Sequence, residues 1–321
     1  MNVRILTLDE LGPEHDLGVL VLRNLAHGDL AGIAHASRWR KEFQRLAPYG
    51  GLYAVEGDTV LSMVEVHRLH YTAPSGEFPV GGLAYVSTDP KARRQGLAHR
   101  LIQEILVRER ADGMDWVLLW TGRSMVAHAL YRKLGFEDVL SPPRAIRFVP
   151  SEAATTEGAR LRVMSDSEAE RLGALREQMA RGRVGFVRRA PDHIARMERI
   201  GLLDRSCVLV LERSGAPVGY VILHKNMDGY VTWEMVAPES ADRRALLDAI
   251  EATAAGHPVQ YGFTPVELWR EELERRGYRI ITDNYGTLMA RSLRHELSAA
   301  EMQSALGTTS QRFISQELDG F

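Results

Sequence analysis

The stretch from residue 86 to residue 98 constrains the fold most, because it joins the end of a strand, a basic turn and a helix start. Before the turn, an apolar segment from Val80 to Thr88 runs into Asp89-Pro90, and Arg93 and Arg94 follow. Apolar residues then recur at helical spacing, which predicts a helix with one buried face: Leu97, Leu101, Ile105 and Leu106. The N–H groups at such a helix start carry partial positive charge, so the turn is typical of a phosphate-binding site.

Two small residues at this helix start support the same interpretation. Gly96 allows the backbone to come close to a ligand, and Ala98 keeps the first turn narrow. The contacts at this turn are therefore expected to come mainly from backbone N–H groups, with added positive charge from Arg93 and Arg94.

A second pattern lies downstream of the helix. An apolar strand from Val117 to Trp120 precedes a short helix that ends at Gly135-Phe136. One face of this helix is expected to carry Ala127, Leu130, Tyr131 and Leu134. Gly135 is typical of a helix C-cap, because glycine adopts the left-handed conformation without strain.

Together, Arg93-x-x-Gly96-x-Ala98 and Leu130-Tyr131-x-Lys133-x-Gly135-Phe136 resemble the two signatures of the GNAT N-acetyltransferases. Either motif alone is weak, but both in this order, separated by a helix and a strand, are specific. The resemblance implies an α/β fold (α+β), the GNAT fold, with a central mixed, mostly antiparallel sheet flanked by helices. It also implies acetyl-CoA as cosubstrate and no metal.

The resemblance further implies where acetyl-CoA binds. The strand before the turn splays from the Val117 strand in this family, and backbone groups near its end hold the pantetheine arm and the thioester. The implied contacts are Val86, Ser87, Thr88, Arg93, Arg94, Gln95, Gly96, Leu97, Ala98, Ser124 and Ala127. Ser124 stands where family members commonly have Asn, and its shorter side chain predicts a weaker or water-mediated contact.

The same resemblance implies that Tyr131 protonates the departing thiolate. Glu65 is our candidate general base, because an alternating strand from Thr59 to Leu69 places it beside His67 on one face. The base is left open among Glu65, His67, water and the C-terminal carboxylate of Phe321, because a base is identified by geometry. An ordinary core role for Tyr131 and a hydrogen-bonded sheet role for Glu65 are the structural alternatives.

The second half of the chain repeats the layout of the first and predicts a duplicated domain. We expect a catalytic domain at residues 1–149, a linker at 150–159, a degenerate GNAT-like domain at 160–294 and a helical tail at 295–321. The repeat has no glycine where Gly96 stands, places Glu239 and Asp242 at its helix start, and has Leu273 where Tyr131 stands. These differences predict that the second domain has lost the chemistry of the first.

Composition narrows the class of protein. A formal net charge of −2 over 321 residues argues against nucleic-acid and anionic-membrane partners. No apolar run approaches the roughly 20 residues of a membrane-spanning helix, and the N-terminal residues do not resemble a signal peptide. The single cysteine, Cys207, cannot form an internal disulfide and suits a reducing compartment. We therefore expect a cytoplasmic protein.

The sequence thus predicts an N-acetyltransferase that moves acetyl from acetyl-CoA to a primary amine by direct attack in a ternary complex. The acceptor, a small molecule or a peptide amine, is not identified by the sequence, and pairing into a homodimer is left open. Two alternatives remain. One is an acetyltransferase of antibiotics or thiol precursors, and the other is a non-catalytic acyl-CoA sensor or interaction protein.

Overall fold

The computed structural model describes residues 2–27, 49–152, 160–199, 201–262, 266–282 and 286–314. In chain order the strands are β1 (Arg4–Thr7), β2 (Tyr49–Glu56), β3 (Thr59–Ala73), β4 (Gly76–Thr88), β5 (Trp116–Gly122), β6 (Glu137–Leu140), β7 (Arg144–Phe148), β8 (Leu161–Val163), β9 (Val208–Arg213), β10 (Ala216–Asn226), β11 (Gly229–Val236), β12 (Pro258–Tyr261), β13 (Arg279–Ile281) and β14 (Gly286–Ser292). The helices are α1 (Asp16–His27), α2 (Leu97–Ala111), α3 (Val126–Lys133), α4 (Ala169–Ala180), α5 (His193–Arg199), α6 (Ser240–Thr253), α7 (Val266–Arg275) and α8 (Ala299–Leu306).

The strands form two seven-stranded sheets. The first has the order β1-β2-β3-β4-β5-β14-β6, and the second has the order β13-β7-β12-β11-β10-β9-β8. Each sheet is antiparallel except for one parallel pair, which is β4 with β5 in the first and β11 with β12 in the second. The predicted fold class, a duplicated and mostly antiparallel mixed sheet with helices, is confirmed.

The two sheets exchange strands. β7 follows the first sheet in sequence but pairs with β12 and β13 of the second. β14 returns to the first sheet between β5 and β6, where Leu288 lies opposite both Trp120 and Leu140. The expected boundaries at residues 149 and 294 therefore do not separate the two sheets, because apolar strands show their burial in the sequence but not their pairing partners.

Helices cover both faces of the first sheet, as the alternation along β3 requires. On one face, Ile102 and Ile105 of α2 share a buried cluster with Val64 of β3. On the other face, Val19 and Leu20 of α1 pack with Met63. The helix α8 covers the rest of that second face over β5 and β14.

The second sheet is covered in the same way. One buried cluster joins it to α6 and α7, and another joins it to α4 and α5. A segment of this half also bonds to the first sheet, since the Thr72 N–H donates to the Phe186 carbonyl at 2.9 Å and the Gly185 N–H donates to the Thr72 carbonyl at 2.7 Å. These bonds extend β3 beyond the end of β2 and hold the two halves together.

Candidate active site

The first sheet opens between β4 and β5. Their parallel pairing is limited to Gly81 with Val117 and Gly82 with Leu118. Beyond these pairs β4 runs on to Thr88, while β5 continues beside β14 instead. The V-shaped opening that the family resemblance implies is therefore present.

A β-bulge interrupts β4 beside this opening. Glu65 of β3 lies opposite Ala84 and Met63 lies opposite Ser87, so two residues of β4 oppose one residue of β3 in between. The first bulged residue, Tyr85, has a φ of +48°, in the left-handed region that costs a tyrosine about 1–3 kcal/mol. A bulge takes backbone groups out of the regular ladder and redirects them. It lies where Val86, Ser87 and Thr88 are expected to contact the thioester arm.

The basic turn after β4 has a defined backbone shape. The Asp89 side chain accepts a hydrogen bond from the Lys91 N–H at 2.8 Å and caps a short 3₁₀ turn. Arg94 and Gly96 then both adopt left-handed φ, at +63° and +77°. No protein atom lies within 4 Å of a Cβ built on Gly96, so its conformation, and not crowding, favours glycine here.

The start of α2 is free of side-chain caps. Gly96 is the N-cap residue, and among the residues that the structure describes no side chain bonds to the cap amides. Arg93, Arg94 and Gln95 are exposed, whereas the Leu97 side chain is buried in the core. A ligand at this turn would therefore meet two arginine side chains and the backbone amides of α2, including those of Leu97 and Ala98.

The second signature borders the same opening. Ser124 is exposed in the turn between β5 and α3, and Ala127 packs against the core that α2 also uses. The contacts of these two residues with the arm of a cosubstrate stay predictions.

Tyr131 of α3 is buried at 5% exposure in the core cluster that contains Leu97 and Val117. Its ring contacts Phe136 edge-on, with the centroids 5.9 Å apart. The hydroxyl has no hydrogen-bond partner among the residues that the structure describes. Burial raises the pKa of Tyr131, so its hydroxyl keeps its proton at neutral pH.

Glu65 occupies an environment that does not suit a free general base. Its side chain is fully buried at 0% exposure, and Arg23 contacts both carboxylate oxygens, with Nε 3.1 Å from Oε1 and Nη2 bonded to Oε2. The Tyr53 hydroxyl also donates to Oε1 at 3.0 Å. Its oxygens are thus already bonded to a guanidinium and a phenol, and these contacts fit a positioning role. The role of Glu65 as general base stays a prediction, and its contacts favour the hydrogen-bonded sheet role.

His67 lies on the same face of β3. Burial, and secondly the charge of Arg23, lower the pKa of His67 to about 4. The imidazole is therefore neutral at pH 7 but a weak proton acceptor. Phe321, the other candidate base, lies outside the described residues.

Sequence reasoning missed Arg23 and Tyr85. The Arg23 guanidinium lies 4.4 Å from the centroid of the Tyr85 ring, so it connects Glu65 to the bulge of β4. The sequence contains one signal for this role. Arg23 follows Val19 and Leu20 at helical spacing, which places a charge on the apolar face of α1.

Within the described ranges, no group of three or more His, Cys, Asp or Glu side chains could hold a metal ion. None of the described helices is both long enough and apolar enough to cross a membrane. Cys207 is half-buried, and burial raises the pKa of its thiol.

The family model described as an acetyltransferase (GNAT) domain matches residues 24–139, which contain both signatures and the β4–β5 opening. No curated protein sequence matches the chain significantly.

Solved structures resemble the whole chain. A GCN5-related N-acetyltransferase from Kribbella flavida is 19% identical, with a TM-score of 0.66 over 93% of this chain and 73% of that one. Eis1 from Mycobacterium abscessus is 18% identical, with a TM-score of 0.62 over 94% of this chain and 76% of that one.

A tandem GNAT protein from the clavulanic acid biosynthesis pathway is 13% identical, with a TM-score of 0.54 over 92% of this chain and 99% of that one. These identities show a shared fold. The chain therefore has the fold of these GNAT structures, and residues 24–139 match the model of a GNAT acetyltransferase domain.

Proposed function

We propose that this chain transfers acetyl from acetyl-CoA to a primary amine of a small molecule or peptide, by direct attack in a ternary complex. The observation that carries the proposal is the uncapped start of α2 at Gly96, at the end of β4 and beside its opening toward β5. Exposed Arg93 and Arg94 add positive charge there, as a diphosphate requires.

The residues of the first sheet position the reactants. The amides of residues 96–98 and the arginines of the turn would hold the diphosphate, and Ser124 and Ala127 would border the arm. Backbone N–H groups at the bulge near Val86 would polarise the thioester carbonyl, which is the usual way to stabilise a developing oxyanion. Holding the amine beside the thioester supplies much of the rate by orientation.

Tyr131 is assigned as the general acid. Its raised pKa keeps the hydroxyl protonated, so the proton is available for the sulfur that leaves as the carbon–sulfur bond breaks. The amine loses its proton to water in this proposal, because Glu65 is enclosed by Arg23 and Tyr53 and the pKa of His67 is low. We assign the reaction to the cytoplasm, in agreement with the one unpaired cysteine.

The test is calorimetric titration with acetyl-CoA, combined with a free-thiol assay over a panel of primary amines. The variant Arg93→Gln/Arg94→Gln should weaken acetyl-CoA binding about 10-fold or more, by the loss of two charged contacts. Arg110→Gln, an exposed arginine at the far end of α2, is the matched control and should bind normally. Binding without thiol release on any amine would favour the acyl-CoA sensor, and absence of binding would refute the proposal.

A further inference from the structure

A cavity of about 1050 Å³ lies in the second half of the chain, away from the turn at Gly96. It is bordered by the start of α6, by α7, by the crossover at residues 140–143 and by residues 308–314. Its volume is in the range of sites for small molecules and cofactors. Four arginines line it: Arg183, Arg243, Arg244 and Arg275.

The cavity lies at the start of α6, the helix that corresponds in order to α2 of the first domain. β11 and β12 pair in parallel only from Tyr230 to Thr232, after which β11 continues to Val236 beside β10 but without β12. The following helix, α6, begins at Ser240 without a side-chain cap, and Ser240 itself borders the cavity. The second domain therefore keeps an open helix start beside splayed strands.

Two of the arginines have no carboxylate partner among the described residues. Arg183 Nε donates to the Met179 carbonyl at 3.1 Å, and Arg243 Nη1 donates to the Pro238 carbonyl at 2.6 Å. Burial lowers the pKa of both guanidinium groups, and for Arg243 the charge of Arg183 lowers it further, partly offset by Glu239. Two partly buried cations that line the same cavity favour an anion between them.

Trp269 provides an independent indication of a ligand. The side chain lines the cavity and is 3% exposed, yet its indole Nε1–H has no acceptor among the described residues. Buried donors normally have a partner, so an unpaired one on a side chain that lines a cavity indicates a missing acceptor. Oxygens of an anion would supply that acceptor.

The acidic residues near this helix start oppose an anion less than the sequence suggests. Asp242 is buried and its carboxylate forms an ion pair with Arg213 at 2.8 Å. Glu272 pairs with Arg275 and Arg276. Glu271, which also lines the cavity, is exposed to solvent.

We propose that this cavity binds a small organic phosphate, with its phosphate at Arg183, Arg243 and the start of α6. The organic part would lie against the aromatic side chains of Trp269 and Phe313, which border the same space. Phosphate is favoured because guanidinium groups and an uncapped helix start bind it together. The site binds its ligand without acyl transfer, since Leu273 stands where the first domain has Tyr131.

The test uses ADP as the probe for an organic phosphate, with adenosine and citrate as comparison ligands. All titrations are made in the Arg93→Gln/Arg94→Gln background, so that binding at the turn at Gly96 is weakened. ADP should bind by calorimetry, and adenosine should not. Arg183→Gln should weaken ADP binding about 10-fold or more, whereas Arg181→Gln, an exposed neighbour outside the cavity, should not.

Tryptophan fluorescence gives a second readout, since ADP should change the emission and Trp269→Phe should abolish most of that change. A melting temperature of Arg183→Gln equal to that of the parent protein would show that the variant is folded. If the melting temperature falls, Arg244→Gln is used in its place. The proposal is overturned if ADP does not bind, or if it binds Arg183→Gln and Arg181→Gln equally. Tighter binding of citrate than of ADP would overturn the assignment to phosphate.

Discussion

Arg23 of α1 contacts both carboxylate oxygens of Glu65 in β3, and both side chains are buried, at 3% and 0% exposure. The same guanidinium lies over the ring of Tyr85, the residue that begins the bulge of β4. One ion pair therefore connects α1, β3 and the bulge beside the candidate thioester site. This relationship favours a positioning role for Glu65 over the role of general base.

Removing Arg23 should cost much more stability than removing an exposed arginine. Arg23→Met leaves the buried carboxylate of Glu65 without its partner, which should lower the free energy of unfolding by about 3–5 kcal/mol. Arg108→Met, which breaks the exposed pair between Arg108 and Glu104, should cost about 0.5 kcal/mol or less. Urea denaturation measures both, and equal losses would contradict the buried ion pair.

Tyr131→Phe should separate chemistry from binding. The variant keeps the buried ring but removes the proton donor, so kcat should fall about 100-fold or more while acetyl-CoA affinity stays the same. Tyr71→Phe is the control, because that hydroxyl donates to the Leu306 carbonyl under α8. A kcat for Tyr131→Phe equal to that of the unmodified chain at every pH would exclude the general-acid role.

Two glycines at opposite ends of α2 offer a matched test of the diphosphate turn. Gly96 and Gly113 have φ of +77° and +89°, and an added Cβ meets no atom within 4 Å at either position. An alanine at either position should cost about 1–2 kcal/mol of stability, from the left-handed backbone alone. Only Gly96→Ala should also raise the KM for acetyl-CoA. If both variants raise it alike, the turn has no special role.

Stability should fall in mild acid because of His67. Its folded pKa of about 4 lies below the ordinary value of 6.5, so between these values the unfolded state binds more protons. Stability is therefore retained above pH 6.5 and lost as the pH falls toward 4, by up to about 3 kcal/mol. In His67→Gln, the difference between urea denaturation at pH 7.5 and at pH 5 should be smaller. Equal losses of stability between pH 7.5 and pH 5 in both proteins would show that His67 is not the cause.

The strand exchange predicts that the first domain cannot be isolated at residue 149. A chain that stops there lacks β14, and β5 and β6 lose their shared neighbour. It should show weaker cooperative melting by circular dichroism, and a peptide of residues 286–314 should restore part of the transition. A fragment of residues 1–149 that melts as cooperatively as the whole chain would show that β14 is dispensable.

Local features of the site are the part that the sequence predicted. The turn at Gly96, the helix from Leu97 and the C-cap at Gly135 each depend on neighbours within a few residues, and the structure contains all three. The parallel strands around the opening also follow from the order of strand, helix and strand.

The relationships that sequence could not supply are long-range. The pairing of β14 between β5 and β6 joins residues more than 140 positions apart. The spacing of apolar residues along a strand does not indicate which other strand it pairs with. The sequence predicts that the Glu65 carboxylate lies on one face of a strand. Only the packing of α1 against that face brings Arg23 into an ion pair with it. Asp242 likewise stands at a helix start in sequence, and the fold pairs it with Arg213 and leaves the neighbouring arginines around a cavity. The sequence determined backbone shape and apolar faces, which are local properties, whereas tertiary packing decided how the charges are paired.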